Sequence, residues 1–368
     1  MSRFAARRQI IPRALANRLA HARVRPAEPR RIVVVHHLLL GDTIMLTPLI
    51  AKLRMLYPHA SIAMTVPHKI APLYAARPYG LEALPYNPHD ATSIARLLDQ
   101  PAFDLAFVPG DNRYSWLALA MDARWIVAFS GDRPKYKSWP VDELIPYPNQ
   151  PAAWGDMVAT LWPGPEPAIY RPSDWPAPNF AAFALPSAPY CVLHVGASSP
   201  LKLWLPERWR QLADRLQASG ITPVWSAGSG EEAEVLRIDP ERRYASYAGQ
   251  LDLPQIWGLL ADATLLICPD TGIAHLGRLV GVPTVTLFGP GSSVVSGAGK
   301  FWENSQFSAV TISDFPCRDQ RKLFKRNIDW VRRCGRNFGE CSSPLCMKDI
   351  DVARVERAAA ELILKPVL

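Results

Sequence analysis

Four turns in this chain bring together residue types that bind anions or move protons. The first is Asp270-Thr271-Gly272-Ile-Ala-His275, which begins where the apolar run TLLIC ends at Pro269. Thr271 and the N–H groups beyond it would open a helix, and a helix N-terminus accepts a phosphate. His275 lies one turn further on the same side as Thr271, although a lone His also suits a packed interior. The second turn, HVGASSPLKLW, offers Ser198 and Ser199 on a small-residue loop that backbone amides can turn toward an anion, with Lys202 as a point charge. A surface lysine would read the same way. The third, SAGSGEE, places Glu231 or Glu232 where a carboxylate can accept hydrogen bonds from a ribose or an adenine; an acid in a first helical turn is the plainer alternative. The fourth, Gly41-Asp42, follows RIVVVHH. Asp42 there is either a helix cap or a carboxylate that takes a proton from an acceptor hydroxyl. Neither G-x-G-x-x-G nor G-x-x-x-x-G-K-[ST] occurs, so both common nucleotide fingerprints are excluded.

The elements that must hold these turns alternate. RIVVVHH (31–37), SIAMTVP (61–67), FDLAFVPG (103–110) and RWIVAFSG read as strands, separated by stretches with apolar residues three or four apart. Residues 163–189 contain eight prolines and break the pattern, because proline lacks the N–H that helices and central strands need. The alternation restarts with YCVLHVG (190–196) and runs to a closing amphipathic helix, DVARVERAAAELIL. Strands alternating with helices predict parallel sheets covered on both faces. The expected architecture is therefore α/β, with two doubly wound Rossmann-like domains facing across a cleft. A basic arm at 1–30 precedes a first domain at 31–162, a linker at 163–189, a second domain at 190–348 and a terminal helix at 349–368. In such sheets ligands sit beyond the carboxyl ends of the strands, where all four turns fall.

Charge is confined to one end. Residues 1–31 hold nine Arg and one acid, and the remaining 32 basic and 32 acidic residues balance. The arm also has apolar residues at helical spacing (Phe4, Ile10, Ile11, Leu15, Leu19), a pattern suited to an anionic membrane surface. A folded body without basic excess argues against nucleic acid as a partner. No secretory signal is evident and no apolar run is long enough to cross a bilayer, which gives a cytoplasmic, membrane-peripheral expectation. Cys317, Cys334, Cys341 and Cys346 crowd into thirty residues without any C-x-x-C pair. Free thiols, a disulfide and a structural metal all remain open. Asp349-Ile-Asp351 reads as helix capping.

Taken together, "LLLGDTIMLTPLIAKLRMLYPHASI", "HVGASSPLKLWLPERWRQLADRL", "SAGSGEEAEV", "CPDTGIAHLGRLVGVPTVTLFGP" and "CMKDIDVARVERAAAEL" resemble glycosyltransferase family 9, the lipopolysaccharide heptosyltransferases. The resemblance implies the GT-B fold and inverting transfer of heptose from ADP-heptose to a lipopolysaccharide core acceptor at the inner membrane, with no metal required. It implies Asp42 as the catalytic base. Lys202, Ser198 and Ser199 would hold the donor phosphates, Glu231 the adenosine, and Asp270, Thr271, Gly272 and His275 the donor sugar and phosphates. Arg113, Lys135 and Lys137 are basic candidates for the acceptor side. Autotransporter heptosyltransferases, relatives within this group, carry an iron-binding four-cysteine motif of different spacing. Other readings of the same pattern are transfer of another sugar to O-antigen, capsule or protein, a nucleotide-sugar epimerase, and a non-catalytic relative.

Overall fold

The computed structural model describes residues 3–313 and 315–364. The two outermost residues of the expected arm and the last four of the expected terminal helix lie outside the described residues, as do the side chains of Arg3, Phe4 and Arg7. The chain forms two units: residues 1–168 with 322–330, and residues 169–321 with 331–368. The division falls inside the proline-rich stretch, where the only regular element among the described residues is a 3-10 turn, Pro172–Asp174.

The first unit runs α1 (Arg3–Ala20), β1 (Arg31–Val34), α2 (Leu40–Ile44), α3 (Thr47–Leu56), β2 (Ser61–Pro67), β3 (Leu81–Tyr86), α4 (Ala91–Leu98), β4 (Phe103–Val108), α5 (Ser115–Ala120), β5 (Ala123–Phe129), β6 (Glu143–Ile145) and α6 (Trp154–Ala159). Its six parallel strands are ordered β3-β2-β1-β4-β5-β6. Both faces of the sheet are covered, so β1 and β4 are near-continuous apolar runs rather than alternating ones. The order reverses between β1 and β4. Asp42, just after β1, therefore leaves the sheet at the switch point where doubly wound folds bind ligands.

The second unit contains β7 (Tyr190–His194), α7 (Pro206–Ala218), β8 (Thr222–Ser226), α8 (Glu232–Ile238), α9 (Leu253–Ala261), β9 (Leu265–Pro269), α10 (Gly272–Val280), β10 (Thr284–Phe288) and β11 (Phe307–Thr311), then α11 (Leu345–Lys348) and α12 (Val352–Ile363). The parallel order is β11-β10-β9-β7-β8. The switch point here lies between β7 and β9, and the turns carrying Lys202 and Asp270 leave those two strands. Asp351 caps α12, accepting from Arg354 N at 2.7 Å. That helix buries Val355 and Leu362 in the core of this unit.

Two segments depart from the sequence boundaries. The arm read as separate from the first domain packs onto it: Ala14 is fully buried in that core, and Asn17 donates to Leu119 O at 2.9 Å. Residues 322–330, expected in the second domain, belong to the first unit. They form an antiparallel hairpin, β12 (Lys322–Leu323) and β13 (Arg326–Asn327). Arg326 holds it there, donating to Ser130 O and Gly110 O at 2.8 Å and to Asn112 Oδ1 at 2.6 Å. These tie points are over 190 positions away in sequence, so no local pattern could announce them.

Candidate active site

At the end of β9 the backbone turns at Asp270, and Thr271 caps α10 by accepting from Ile273 N at 3.3 Å. Lys202, from the turn after β7, donates to Asp270 O at 2.7 Å and to Asp270 Oδ2 at 2.9 Å. The expected lysine and the expected Asp-Thr-Gly motif are thus one assembly: a cation and a capped nine-residue helix N-terminus at one switch point. A Cβ on Gly291 would overlap Asp270 Oδ2, so glycine lets this carboxylate lie against the backbone. Ser199 caps the 3-10 turn Pro200–Lys202, accepting from Leu201 N at 3.3 Å, while Ser198 is exposed. Glu231 accepts from Gly228 N at 2.8 Å, and a Cβ on Gly196 would overlap its Oε2. Glu231 therefore joins the loop after β8 to the loop after β7. Of the candidates in this unit, Asp270 and His275 are buried.

His275 is buried, and burial followed by the nearby Arg278 and Lys202 charges drives its pKa well below the ordinary range. It is neutral, and its Nδ1 accepts from Arg278 Nη2. Arg278 went unnoticed at the sequence level. It is 2% exposed, lies against the Phe307 ring at 4.7 Å, and donates to Ser296 O at 3.0 Å. Among the described residues its Nε and Nη1 have no hydrogen-bond partner. Burial lowers its pKa to about 10, against the opposing pull of Asp270. A buried guanidinium with unsatisfied N–H groups and no bonded carboxylate is costly unless an anion completes it. The available sequence signal was an arginine one turn after His275 in an otherwise apolar helix.

In the first unit, Asp42 occupies the first turn of α2, partly buried and engaged with a partner of its own. The loop leading to it is fixed by His36. The His36 backbone accepts from Tyr86 Oη at 3.0 Å and from Thr65 Oγ1 at 2.8 Å, and its Nδ1 accepts from Leu38 N at 3.1 Å. Burial, then His37, pushes its pKa down to about 3, so the ring is neutral. With Nδ1 accepting, the proton sits on Nε2, a buried donor without a partner among the described residues.

The basic acceptor-side candidates fall in different settings. Lys137 is buried and bridges Asp132 Oδ1 at 3.0 Å and Asp111 Oδ1 at 3.1 Å. Arg113 pairs with Asp111 Oδ2 at 2.7 Å. Burial alone would raise the Asp111 pKa, but hydrogen bonds from Arg113 and Lys137 hold it well below the usual carboxylate range. Lys135 is exposed. In the second unit, Cys334 N donates to Pro290 O at 2.9 Å, and Cys346 Sγ lies near Gly289. Cys317, Cys334, Cys341 and Cys346 are free thiols, and among the described residues no group of three or more metal-ligating side chains is arranged to hold a metal. Burial, then the neighbouring thiol of Cys317, pushes the Cys346 thiol up to about 11.

The chain is similar to several known proteins. Lipopolysaccharide heptosyltransferase 1 of Pseudomonas aeruginosa is 31% identical over 199 residues, 50% of this chain and 51% of that protein, so the chain spans about half of its length. Lipopolysaccharide heptosyltransferase 3 of Escherichia coli is 24% identical over 310 residues, covering 76% of this chain and 89% of that one. A family 9 glycosyl transferase from Veillonella parvula superposes with a TM-score of 0.70 at 19% identity, covering 92% of this chain and 98% of that chain. E. coli ADP-heptose lps heptosyltransferase II does so with a TM-score of 0.68 at 18% identity, covering 91% and 98%. The fold is thus that of the GT-B heptosyltransferases. The model of glycosyltransferase family 9 (heptosyltransferase) matches residues 91–327, from α4 through the Lys202–Asp270 assembly to β13, and the chain belongs to that family.

Proposed function

We propose that the protein transfers heptose, with inversion, from ADP-heptose to a lipopolysaccharide core or related glycan acceptor. The observation that carries this reading is the Lys202–Asp270 contact at the capped start of α10. It gathers a cation and unsatisfied helix N–H groups where a leaving diphosphate needs them. As the bond to the anomeric carbon breaks, negative charge grows on the diphosphate. Fixed donors aimed at such charge lower a barrier by roughly 3–4 kcal/mol each. Asp270 balances Lys202 before donor arrives, and the diphosphate then competes for the ammonium. Glu231 holds the adenosine hydroxyls, and Arg278, acting through His275, adds positive potential beside Asp270. Asp42 removes the acceptor hydroxyl proton as that oxygen attacks. No step in this scheme is assigned to a metal. Support for the donor comes from relatives: one solved neighbour is E. coli heptosyltransferase WaaC with ADP, with a TM-score of 0.61 at 19% identity.

We also propose that the enzyme works on the cytoplasmic face of the membrane. The support is a stripe on α1, where Ile11, Leu15 and Leu19 are 41%, 42% and 90% exposed at intervals of four residues. No helix among the described residues is long and apolar enough to cross a membrane.

The test is transfer of heptose from ADP-heptose to a heptose-deficient lipopolysaccharide. Asp42→Asn should lower kcat by about a hundredfold or more while leaving ADP affinity unchanged. Normal turnover by that variant would remove Asp42 from the mechanism.

A further inference from the structure

The first unit holds a cavity of about 820 Å³ that none of the donor or base residues line. Its walls come from Ser130, Gly131 and Arg133, from Tyr147–Asn149 and, in the hairpin segment, from Lys322 and residues 325–330. Four cations face it or border it, Arg133, Lys322, Lys325 and Arg326, against one acid, Asp329, which has a partner of its own.

These cations are not equivalent. Arg326 is 2% exposed and its guanidinium is occupied by backbone carbonyls and Asn112, so it anchors the wall. Lys325 lies 3.5 Å from Asp111. Arg133 and Lys322 are exposed, and among the described residues neither side chain has an ion-pair or hydrogen-bond partner. Tyr147 also lines the cavity, its ring stacked on Phe129 with centroids 4.0 Å apart and its hydroxyl buried away from solvent. Trp330 is held by a 3.0 Å hydrogen bond from Nε1 to Pro148 O, which fixes its plane beside the cavity.

The hairpin that brings these groups is strained. Its turn residues, Phe324 and Lys325, have φ of 44° and 67°, values that two-residue turns normally assign to Asn-Gly. A left-handed backbone is unfavourable for residues that carry a Cβ. Phe324 packs on Trp154 with centroids 4.4 Å apart and with Arg326 holds the turn in that conformation. Strain maintained by its surroundings concentrates at ligand clamps.

We propose that this cavity binds a phosphorylated sugar. An unpaired Arg fork and a lysine suit a phosphate's several oxygens. The ordered Trp330 ring offers an apolar face to a sugar's C–H groups. The proposal deepens the transferase reading and rests on it only in naming the acceptor glycan as the source of that sugar. The binding site itself is testable without turnover.

The experiment is calorimetric titration of the full-length protein with glucose 6-phosphate, glucose and inorganic phosphate, and separately with ADP. Glucose 6-phosphate should bind, and bind more tightly than the other two sugar-site probes. Arg133→Ala and Lys322→Ala should each weaken it by about tenfold or more. ADP affinity should be unchanged in both variants, which also shows that they are folded. The proposal is overturned if glucose 6-phosphate does not bind, if inorganic phosphate binds equally well, or if the variants bind it as the parent does. Loss of ADP binding alone in the parent would instead overturn the donor reading and leave this site standing.

Discussion

Arg278 presents the sharpest physical conflict in the molecule. A cation sealed inside a domain, bonded to a neutral imidazole and one carbonyl, destabilises the free protein. Replacing such a group by an apolar residue of similar volume is often neutral or stabilising by roughly 1–4 kcal/mol. Arg278→Leu should therefore unfold at the same temperature or higher, yet bind ADP about tenfold more weakly or worse. A lower melting temperature with unchanged ADP affinity would make Arg278 purely structural. At this scale the sequence was legible where residues near one another in the chain, or paired strand ends, form the site: Thr271 capping α10, and Lys202 with Asp270. It was silent on Arg278, because whether an arginine on a helix is solvated or sealed depends on the far-off Trp302 and Phe307 rings.

Two strand exits and one helix carry buried neutral imidazoles. His36 follows β1, His194 ends β7, and His275 lies in α10. Burial lowers their pKa values to about 3 for His36 and about 4 for His194, and well below the ordinary range for His275. Unfolding restores ordinary values near 6.5, so below that pH the unfolded chain binds protons that the folded chain does not. Stability is then fully present above about pH 6.5 and falls as the pH drops, by up to about 1.4 kcal/mol per pH unit for each histidine. Denaturant unfolding from pH 7.5 to 4.5 should show the midpoint falling below pH 6.5, and His194→Asn should flatten that slope. A midpoint constant between pH 6.5 and 5 would contradict the buried neutral state. The strands themselves were readable as apolar runs bounded by turns. The hairpin β12–β13 was not, because it is two residues a side and held by partners from elsewhere in its unit.

For the whole molecule, the arm is where sequence and structure differ most. Its pattern suggested a basic arm separate from the first domain and suited to a membrane surface, and in the structure Arg18 and Arg23 both donate to Asp142, whose side chain is 4% exposed. Deleting the arm would strand that carboxylate, at a cost of roughly 3–5 kcal/mol, and would confuse unfolding with loss of membrane contact. Substituting Ile11, Leu15 and Leu19 by Ser leaves the packed Ala14 and Asn17 in place. That variant should keep its melting temperature and bind anionic phosphatidylglycerol vesicles more weakly; unchanged vesicle binding would remove the arm from membrane contact. The two-unit plan was visible in the repeated strand–helix pattern and the proline-rich break. The course of residues 322–330 was not, since no periodicity records which unit a short hairpin joins.

The central claim is that the second unit is built for an adenine nucleotide sugar. It is tested most directly by thermal unfolding of the whole protein with ADP, ADP-heptose, UDP, GDP and CMP. A ligand at about 100 times its Kd stabilises by about 2.7 kcal/mol. The account predicts that ADP and ADP-heptose raise the melting temperature and that the other three do not. Stabilisation by UDP or GDP in place of ADP would contradict it.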